Sequence, residues 1–400
     1  MAMTASSNFW LQDIPQQLAA LDAAALRRTR RTVAPLQGAR ILVDGQPMLQ
    51  FCSNDYLGLA QHPAMIEAAC AGAQDFGVGS GGSPMVNGHS TANAALEEEL
   101  ARFVQLPRAL YFYAGFATNA SIIPALVGAG DAIFSDALNH ASLIDGCRLS
   151  RAQIHRFEHG DLAALEQLLV ACPVQRKLVV SDAVFSMDGN VADIEGLLAL
   201  CERYDALLLL DDAHGFGVLG PQGRGSLAAA GLTGVKASPR VLYMATLSKA
   251  AGVSGAFVAG HALLIEWLLQ KTRSYTFATA APAMLARALQ TSLQLIEEQS
   301  ALREQLQARI AQLRAGLQPL LQGKGWRLLP SDTAVQALVV GGNDAALGLM
   351  EGLRRHGLWV PAIRPPTVPV GTARLRIALS ALHTEADVKQ LLAALQELAG

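Results

Sequence analysis

The chain is 400 residues long, 51% apolar and 16% charged, with a formal net charge of −2. A chain of this length and composition buries a large core over two or more domains, which excludes a disordered polymer. The near-zero charge removes any electrostatic case for binding nucleic acid or an anionic membrane surface. The five cysteines, Cys52, Cys70, Cys147, Cys172 and Cys201, are scattered with no CxxC pair. They read as reduced, mostly buried thiols of a cytoplasmic protein, and no metal site is expected. No basic start followed by an apolar core opens the chain, so no signal peptide is expected. Uncharged stretches such as 113–130 hold Asn, Ser, Pro and several Gly, and read as buried segments rather than membrane spans.

Taken in order, the chain first shows apolar positions Trp10, Leu11, Ile14, Leu18 and Leu21 at helical spacing. An arginine-rich patch, Arg27-Arg-Thr-Arg-Arg31, follows. Residues 41–43 and 48–51 flank an Asp44-Gly45 turn and predict a hairpin. Strand candidates come next at 109–113, 132–135, 154–157, 178–182, 207–211, 241–246 and 256–259. Helical patterns such as 92–104 and 193–204 lie between them. Such alternation implies a mainly parallel seven-stranded sheet with helices on both faces. One long helical region is expected over 282–322. The last eighty or so residues carry strand candidates 335–340 and 375–379 and helices 344–355 and 385–398, a smaller α+β domain. The expected division is 1–55 for the N-terminal helix and hairpin, 56–281 for a large α/β domain, and 282–400 for the long helix and C-terminal α+β domain.

The chemistry concentrates at strand ends. Val241-Leu-Tyr-Met-Ala-Thr-Leu-Ser-Lys249 carries a lysine out of an apolar run into a segment of small residues. Leu207-Leu-Leu-Leu210 ends in Asp211-Asp-Ala-His-Gly215. A lone lysine is usually a surface charge and a lone strand-end aspartate often a helix cap. Together, the two are what pyridoxal phosphate (PLP) requires. The amine forms a Schiff base with the cofactor aldehyde, and the carboxylate keeps the pyridine nitrogen protonated. Gly115-Phe116 opens a helix after a strand, where free N–H groups hold phosphate, although many such turns only pack. Thr246 and Ser248 add hydroxyls beside Lys249. His140 either starts a helix or stacks its ring on the cofactor and moves a proton. His214 and Ser186 are candidates for the cofactor's phenolic oxygen, against a plain turn histidine and serine. Arg376 can offer a bidentate fork to a substrate carboxylate, against a surface ion pair. Gly77-Val-Gly-Ser-Gly-Gly82 follows a helical stretch, not a strand, so it reads as a packed loop and not a dinucleotide fingerprint.

Several motifs together resemble the α-oxoamine synthases. They are Ser53-Asn-Asp-Tyr-Leu-Gly-Leu59, Gly79-Ser-Gly-Gly-Ser83, Ala94-Ala-Leu-Glu-Glu-Glu-Leu100, Val184-Phe-Ser-Met-Asp-Gly189, Asp211-Asp-Ala-His-Gly215 and Gly220-Pro-Gln-Gly-Arg-Gly225. The similarity runs from about residue 25 to the C-terminus. The resemblance implies a fold-type-I PLP enzyme, a homodimeric acyltransferase that joins an amino acid to an acyl thioester with loss of carbon dioxide. Ala362-Ile-Arg-Pro-Pro-Thr-Val-Pro369 and Gly371-Thr-Ala-Arg-Leu-Arg376 are most similar to members that join L-alanine to a pimeloyl thioester, on coenzyme A or a carrier protein, in biotin biosynthesis.

The same resemblance implies the roles of single residues. Lys249, His140 and Asp211 would be catalytic. Gly115, Phe116, His140, Ser186, Asp211, His214, Thr246 and Lys249 would hold the cofactor, with Thr279 reaching it from the partner subunit. Arg28, Asn54, His140, Thr367 and Arg376 would contact substrate. Pro84, Asp182 and Ala278 depart from the family's usual residues. Two other readings stay open: glycine or serine as the amino acid with a different acyl donor, or a silent scaffold subunit of the same fold. Retention of Lys249, Asp211 and both histidines argues against the scaffold.

Overall fold

The computed structural model describes residues 9–24, 26–34 and 37–399. All seven strand candidates of the large sheet form. They are β1 (Arg108–Phe112), β2 (Ala132–Asp136), β3 (Gln153–Phe157), β4 (Lys177–Asp182), β5 (Ala206–Asp211), β6 (Val241–Thr246) and β7 (Ala256–Gly260). Their spatial order is β1-β7-β6-β5-β4-β2-β3. Only β7 runs antiparallel to its neighbours. The central strands are built on continuous apolar runs, such as residues 207–210, because helices cover both faces. Edge strand β3 differs: Gln153 and Arg156 are exposed, and a charged, polar edge discourages pairing with another chain.

The hairpin forms as Arg40–Val43 and Gln46–Gln50, with Asp44 and Gly45 at φ 50° and 79°. Two successive positive φ values are what a two-residue hairpin turn needs. Gln46–Gln50 also pairs in parallel with Leu358–Trp359, which joins the hairpin to the last third of the chain. There, Arg327–Leu328, Val335–Gly341, Ala373–Ala378 and Ala362–Ile363 make a four-stranded antiparallel sheet. Helices Asn343–Arg355 and Glu385–Ala399 accompany it.

The expected long helical region is two helices, Ala283–Glu298 and Ser300–Leu317, followed by a short 3-10 turn. Gln299 breaks the run at φ −96°, ψ 74°. The side chain of Arg303 turns back to the carbonyl of Ile296, meeting one of the last unpaired carbonyls of the first helix. The first helix packs on Pro63–Phe76, where a side chain on Gly72 would sit 2.8 Å from Met284 Cα. The second packs on Glu385–Ala399. Each half has its own partner, and a straight rod would lose one of them.

The N-terminal helix spans Phe9–Ala23, yet Trp10, Leu11, Ile14 and Leu21 stay exposed. The glycine-rich loop after Phe76 is likewise open, with Val78 76% exposed. No helix among the described residues is long and apolar enough to cross a membrane. All five cysteines are free thiols; Cys147 and Cys201 are buried, whereas Cys70 is exposed.

The small sheet is keyed to the large domain at the turn after β4. Gly189 has φ 80°, and its carbonyl accepts Ser331 Oγ and Thr333 Oγ1 at 2.9 and 3.0 Å. A Cβ there would lie 2.2 Å from the Val335 carbonyl oxygen. Gly189→Ala is therefore expected to cost more than about 2 kcal/mol, from backbone strain plus a clash with main chain. Urea unfolding checks this; a stability within about 0.5 kcal/mol of the parent contradicts the keying.

Candidate active site

The parallel strands deliver their last residues to one edge of the sheet, where open α/β sheets place their ligand sites. A cavity of about 170 Å3 lies there. Gly115, Phe116, His140, Ser186, Asp211, His214, Thr246 and Lys249 all line it. Eight expected residues, from five separate segments, thus meet in one place.

Asp211 ends β5 and pairs in register with Asp182 at the end of β4. Both side chains are buried. Asp211 Oδ1 accepts the Ala213 N–H at 2.9 Å, and Oδ2 accepts Asn119 Nδ2 at 2.6 Å. Asp212, one residue on, turns to the opposite face. It is held there by the Ser226 N–H, the Ser226 hydroxyl and the Tyr243 hydroxyl. Burial pushes its carboxyl up to about 6, and it does not line the cavity.

Lys249 opens on the same cavity from the loop after β6. Desolvation pulls its amine down to about 8, against the opposing attraction of Asp211 and Asp182. A lysine in that state is a nucleophile near neutral pH. Asp182 responds in the other direction: burial, then the charge of Asp211, raise it well above the usual carboxylate range.

His140 stands in the loop after β2 and caps helix Ala141–Ser150. Asn139 stitches this loop to the sheet, donating to Ser135 Oγ and the Val180 carbonyl and accepting the Asp182 N–H. The His140 N–H donates to Asp182 Oδ2 at 2.7 Å. Its ring meets Phe116 edge-on, with centroids 6.4 Å apart. Burial lowers its pKa, and Lys249 adds to this, while Asp211 acts against it.

Helix Gly115–Leu126 begins at the cavity, and its N-cap Ala114 offers no side-chain acceptor to the first turn. Its leading N–H groups therefore keep their capacity for an anion. Thr246 Oγ1 faces them; a Cβ on Gly115 would lie 3.3 Å from it and narrow the cradle. Ser248 Oγ is 2.8 Å from Thr246 Oγ1. The donor set combines an anion cradle, a carboxylate and an amine in one cavity. This is the set a phosphorylated pyridine aldehyde needs, so the residues fit PLP.

Other expected residues lie outside this cavity. Asn54 and Arg376 sit one layer back: Arg376 Nε donates to the Ser186 carbonyl at 2.7 Å, and Nη2 to Asn54 Oδ1 at 3.3 Å. Part of the arginine fork is thus engaged within the protein. Arg28 and Thr367 line a second, mainly apolar cavity of about 710 Å3, where Arg28 Nη2 is 3.5 Å from Thr367 Oγ1. Met187 borders that cavity while the preceding Ser186 borders the first. Thr279 is exposed and lines a separate cleft with Pro84 and Tyr275.

Three contributors were not singled out in the sequence. Asn119 bonds Asp211, Ser142 bonds His140, and Tyr56 O–H lies 2.6 Å from His214 Nδ1. A hint existed for Asn119 alone, as an amide one turn into an otherwise apolar helix.

The model of the aminotransferase class I and II family matches residues 46–395. The 8-amino-7-oxononanoate synthase of Paracidovorax citrulli is 76% identical, covering 98% of this chain and 95% of its own. That of Delftia acidovorans is 74% identical, covering 98% of both. Among solved structures, a serine palmitoyltransferase from S. paucimobilis with a bound PLP–myriocin aldimine superposes with a TM-score of 0.90 at 28% identity, covering 98% of each chain. The 8-amino-7-oxononanoate synthase of Francisella tularensis superposes at 0.74 and 28% identity, covering 88% of this chain and 97% of its own. On this match along nearly its whole length, the chain belongs to the 8-amino-7-oxononanoate synthases, within the aminotransferase class I and II family.

Proposed function

We infer that this chain catalyses the PLP-dependent condensation of L-alanine with a pimeloyl thioester, on coenzyme A or a carrier protein. The products are 8-amino-7-oxononanoate, carbon dioxide and free thiol, a step of biotin synthesis. The observation that carries the reading is Lys249 opening on one cavity with Asp211, His140 and an uncapped helix start. Family membership at up to 76% identity narrows it to this reaction.

Bound in this cavity, PLP supplies an aldehyde for an amine and a ring that withdraws electrons from a substrate carbon. The N–H groups of Gly115 and Phe116 and the Thr246 hydroxyl take its phosphate. Asp211 holds the proton on its ring nitrogen, and Asn119 and Ala213 fix that carboxylate in place. His140 would lie against the ring, and Ser186 and His214 would meet its oxygen side, since all three line the cavity. Lys249 Nζ removes the α-proton of alanine and later returns a proton to the same carbon. The apolar cavity beside Met187 takes the acyl chain. Arg28 and Thr367 contact its far end, and Asn54 and Arg376 the amino acid side. Enclosure keeps water from protonating the α-carbon before the thioester arrives.

The working form is a homodimer in the cytoplasm, with Thr279 completing the partner's phosphate site. Exposure of Thr279 away from its own cavity supports this. So do the uncovered Trp10, Val78, Val86 and Phe277, since apolar side chains left open mark association surfaces. The five free thiols suit a reducing compartment.

Three outcomes are expected. Apoprotein should capture PLP, followed by absorbance, at a rate that rises with pH through about 8, since only the neutral amine attacks. A rate climbing only toward pH ~10, the range of a free lysine, contradicts the lowered amine. Next, Asp211→Asn should still bind PLP but exchange the α-proton of alanine for deuterium about a thousandfold more slowly, a loss of ~4 kcal/mol. Exchange near the parent rate assigns the ring nitrogen to another group. Last, mixing inactive Lys249→Ala with an impaired Thr279→Ala, after demonstrated subunit exchange, should restore one intact site per mixed dimer. No recovery above either parent rules out a shared site. Product mass from alanine and pimeloyl thioester tests the whole assignment; condensation only with glycine or serine overturns it.

A further inference from the structure

A chain of hydrogen bonds runs from Asp211 to His140 through Asn119 and Ser142. Asn119 Nδ2 lies 2.6 Å from Asp211 Oδ2 and 3.0 Å from Ser142 Oγ. An ionised carboxylate only accepts, so the amide must present its NH2 group, with one hydrogen for each neighbour. Ser142 Oγ thus receives a hydrogen bond from Asn119 and has its own hydrogen left to give. Among the described residues, the acceptor it meets is His140 Nδ1, at 2.8 Å. The Ser142 backbone N–H points at that same Nδ1 from 3.2 Å, because His140 is the N-cap of Ala141–Ser150.

Two donors therefore converge on one ring nitrogen. A nitrogen that accepts cannot itself carry a proton. Protonating His140 would turn N–H against O–H and N–H and leave buried donors without acceptors, which carries a penalty. We propose that Asn119 and Ser142 are positioning residues that hold His140 as the neutral imidazole with its proton on Nε2. His140 then enters the reaction as a hydrogen-bond donor of fixed orientation and not as an imidazolium acid. Its proposed place beside the cofactor rests on the function inferred above, whereas the tautomer rests on this chain of bonds alone.

The charged and titratable surroundings are consistent with this. Asp182 faces His140 from β4 but binds its backbone N–H and not its ring. Asp211 faces it from β5, with Oδ2 already bonded by Asn119. Lys249 and His214 line the same cavity, and a positive charge on Lys249 opposes a second one on the ring. The Phe116 ring closes the edge.

The test is nitrogen NMR of the holoenzyme carrying isotope-labelled histidine, with the His140 signal identified by its loss in His140→Asn. Across about pH 6 to 8, the window where a free histidine titrates, Nδ1 is expected to stay unprotonated and Nε2 protonated. A proton on Nδ1, or an imidazolium forming within that window, overturns the proposal. This readout needs no turnover, so it fails or succeeds separately from the assigned reaction. Ser142→Ala removes the hydroxyl donor and should let His140 take up a proton about one pH unit more readily. kcat/KM should then fall about twofold near pH 6, more steeply below it, and recover toward the parent near pH 8. Ser142→Thr keeps the hydroxyl and should restore the parent profile. An equal loss at every pH, or no loss, contradicts the role given to Ser142.

Discussion

Two carboxylates, Asp182 and Asp211, are buried side by side at neighbouring strand ends, with one amine, Lys249, facing both. Buried like charges repel strongly, and the surrounding structure has to offset that. It does so by giving each acid different company. Asp211 accepts an amide and a backbone N–H. Asp182 accepts the His140 N–H but is raised by burial and by its neighbour, so the pair need not hold two full charges. The adjacent Asp212 avoids the conflict by pointing to the other face, where Ser226 and Tyr243 satisfy it. The register of β4 on β5 fixes this arrangement, and the loop bearing His140 is tied to it through Asn139 and Asp182.

The large sheet was legible because each buried strand is a continuous apolar run ended by polar or small residues. Parallel strands covered on both faces must read that way. Strands of two residues, such as Leu358–Trp359 and Ala362–Ile363, left no period to detect. They exist because other segments pair with them, Leu49 and Gln50 for the first and Arg374 and Leu375 for the second, and such pairing leaves no local signal in two residues. The break at Gln299 was hidden for a similar reason. Glutamine is an adequate helix former, and the bend comes from two helices seeking different partners.

The candidate site divides along the same line. Lys249 and Asp211 stood out as charges ending apolar runs, and Gly115 as a glycine opening a helix. Asn119, Ser142 and Tyr56 acquire meaning only through partners 92, 2 and 158 positions away. Ser142 is two residues from His140, yet nothing in the run Asn139-His-Ala-Ser142 tells whether its hydroxyl caps a helix or grips the ring. Asp182 was read as a departure from the family pattern without a task. In the fold it anchors the His140 loop and shapes the charge of the cavity.

The small domain is not an appendage to this arrangement. Arg374 and Arg376 lie two apart on one strand, so their side chains leave the same face. Both reach the turn after β4. Arg374 pairs with Asp188 and bonds the Thr372 carbonyl and hydroxyl, and Arg376 holds the Ser186 carbonyl. The guanidinium of Arg374 is nearly fully buried, where an ion pair adds little net stability but leaves few alternative geometries. Ser331 and Thr333 grip the same turn through the Gly189 carbonyl. A turn held at 186, 188 and 189 cannot shift without the small sheet shifting too. Its residues Ser186 and Met187 form walls of the two cavities. The distance between the amine-bearing cavity and the apolar one is therefore set by how the C-terminal sheet docks. Under the proposed function, that places control over the fit of the acyl chain in a sheet that lines none of the first cavity.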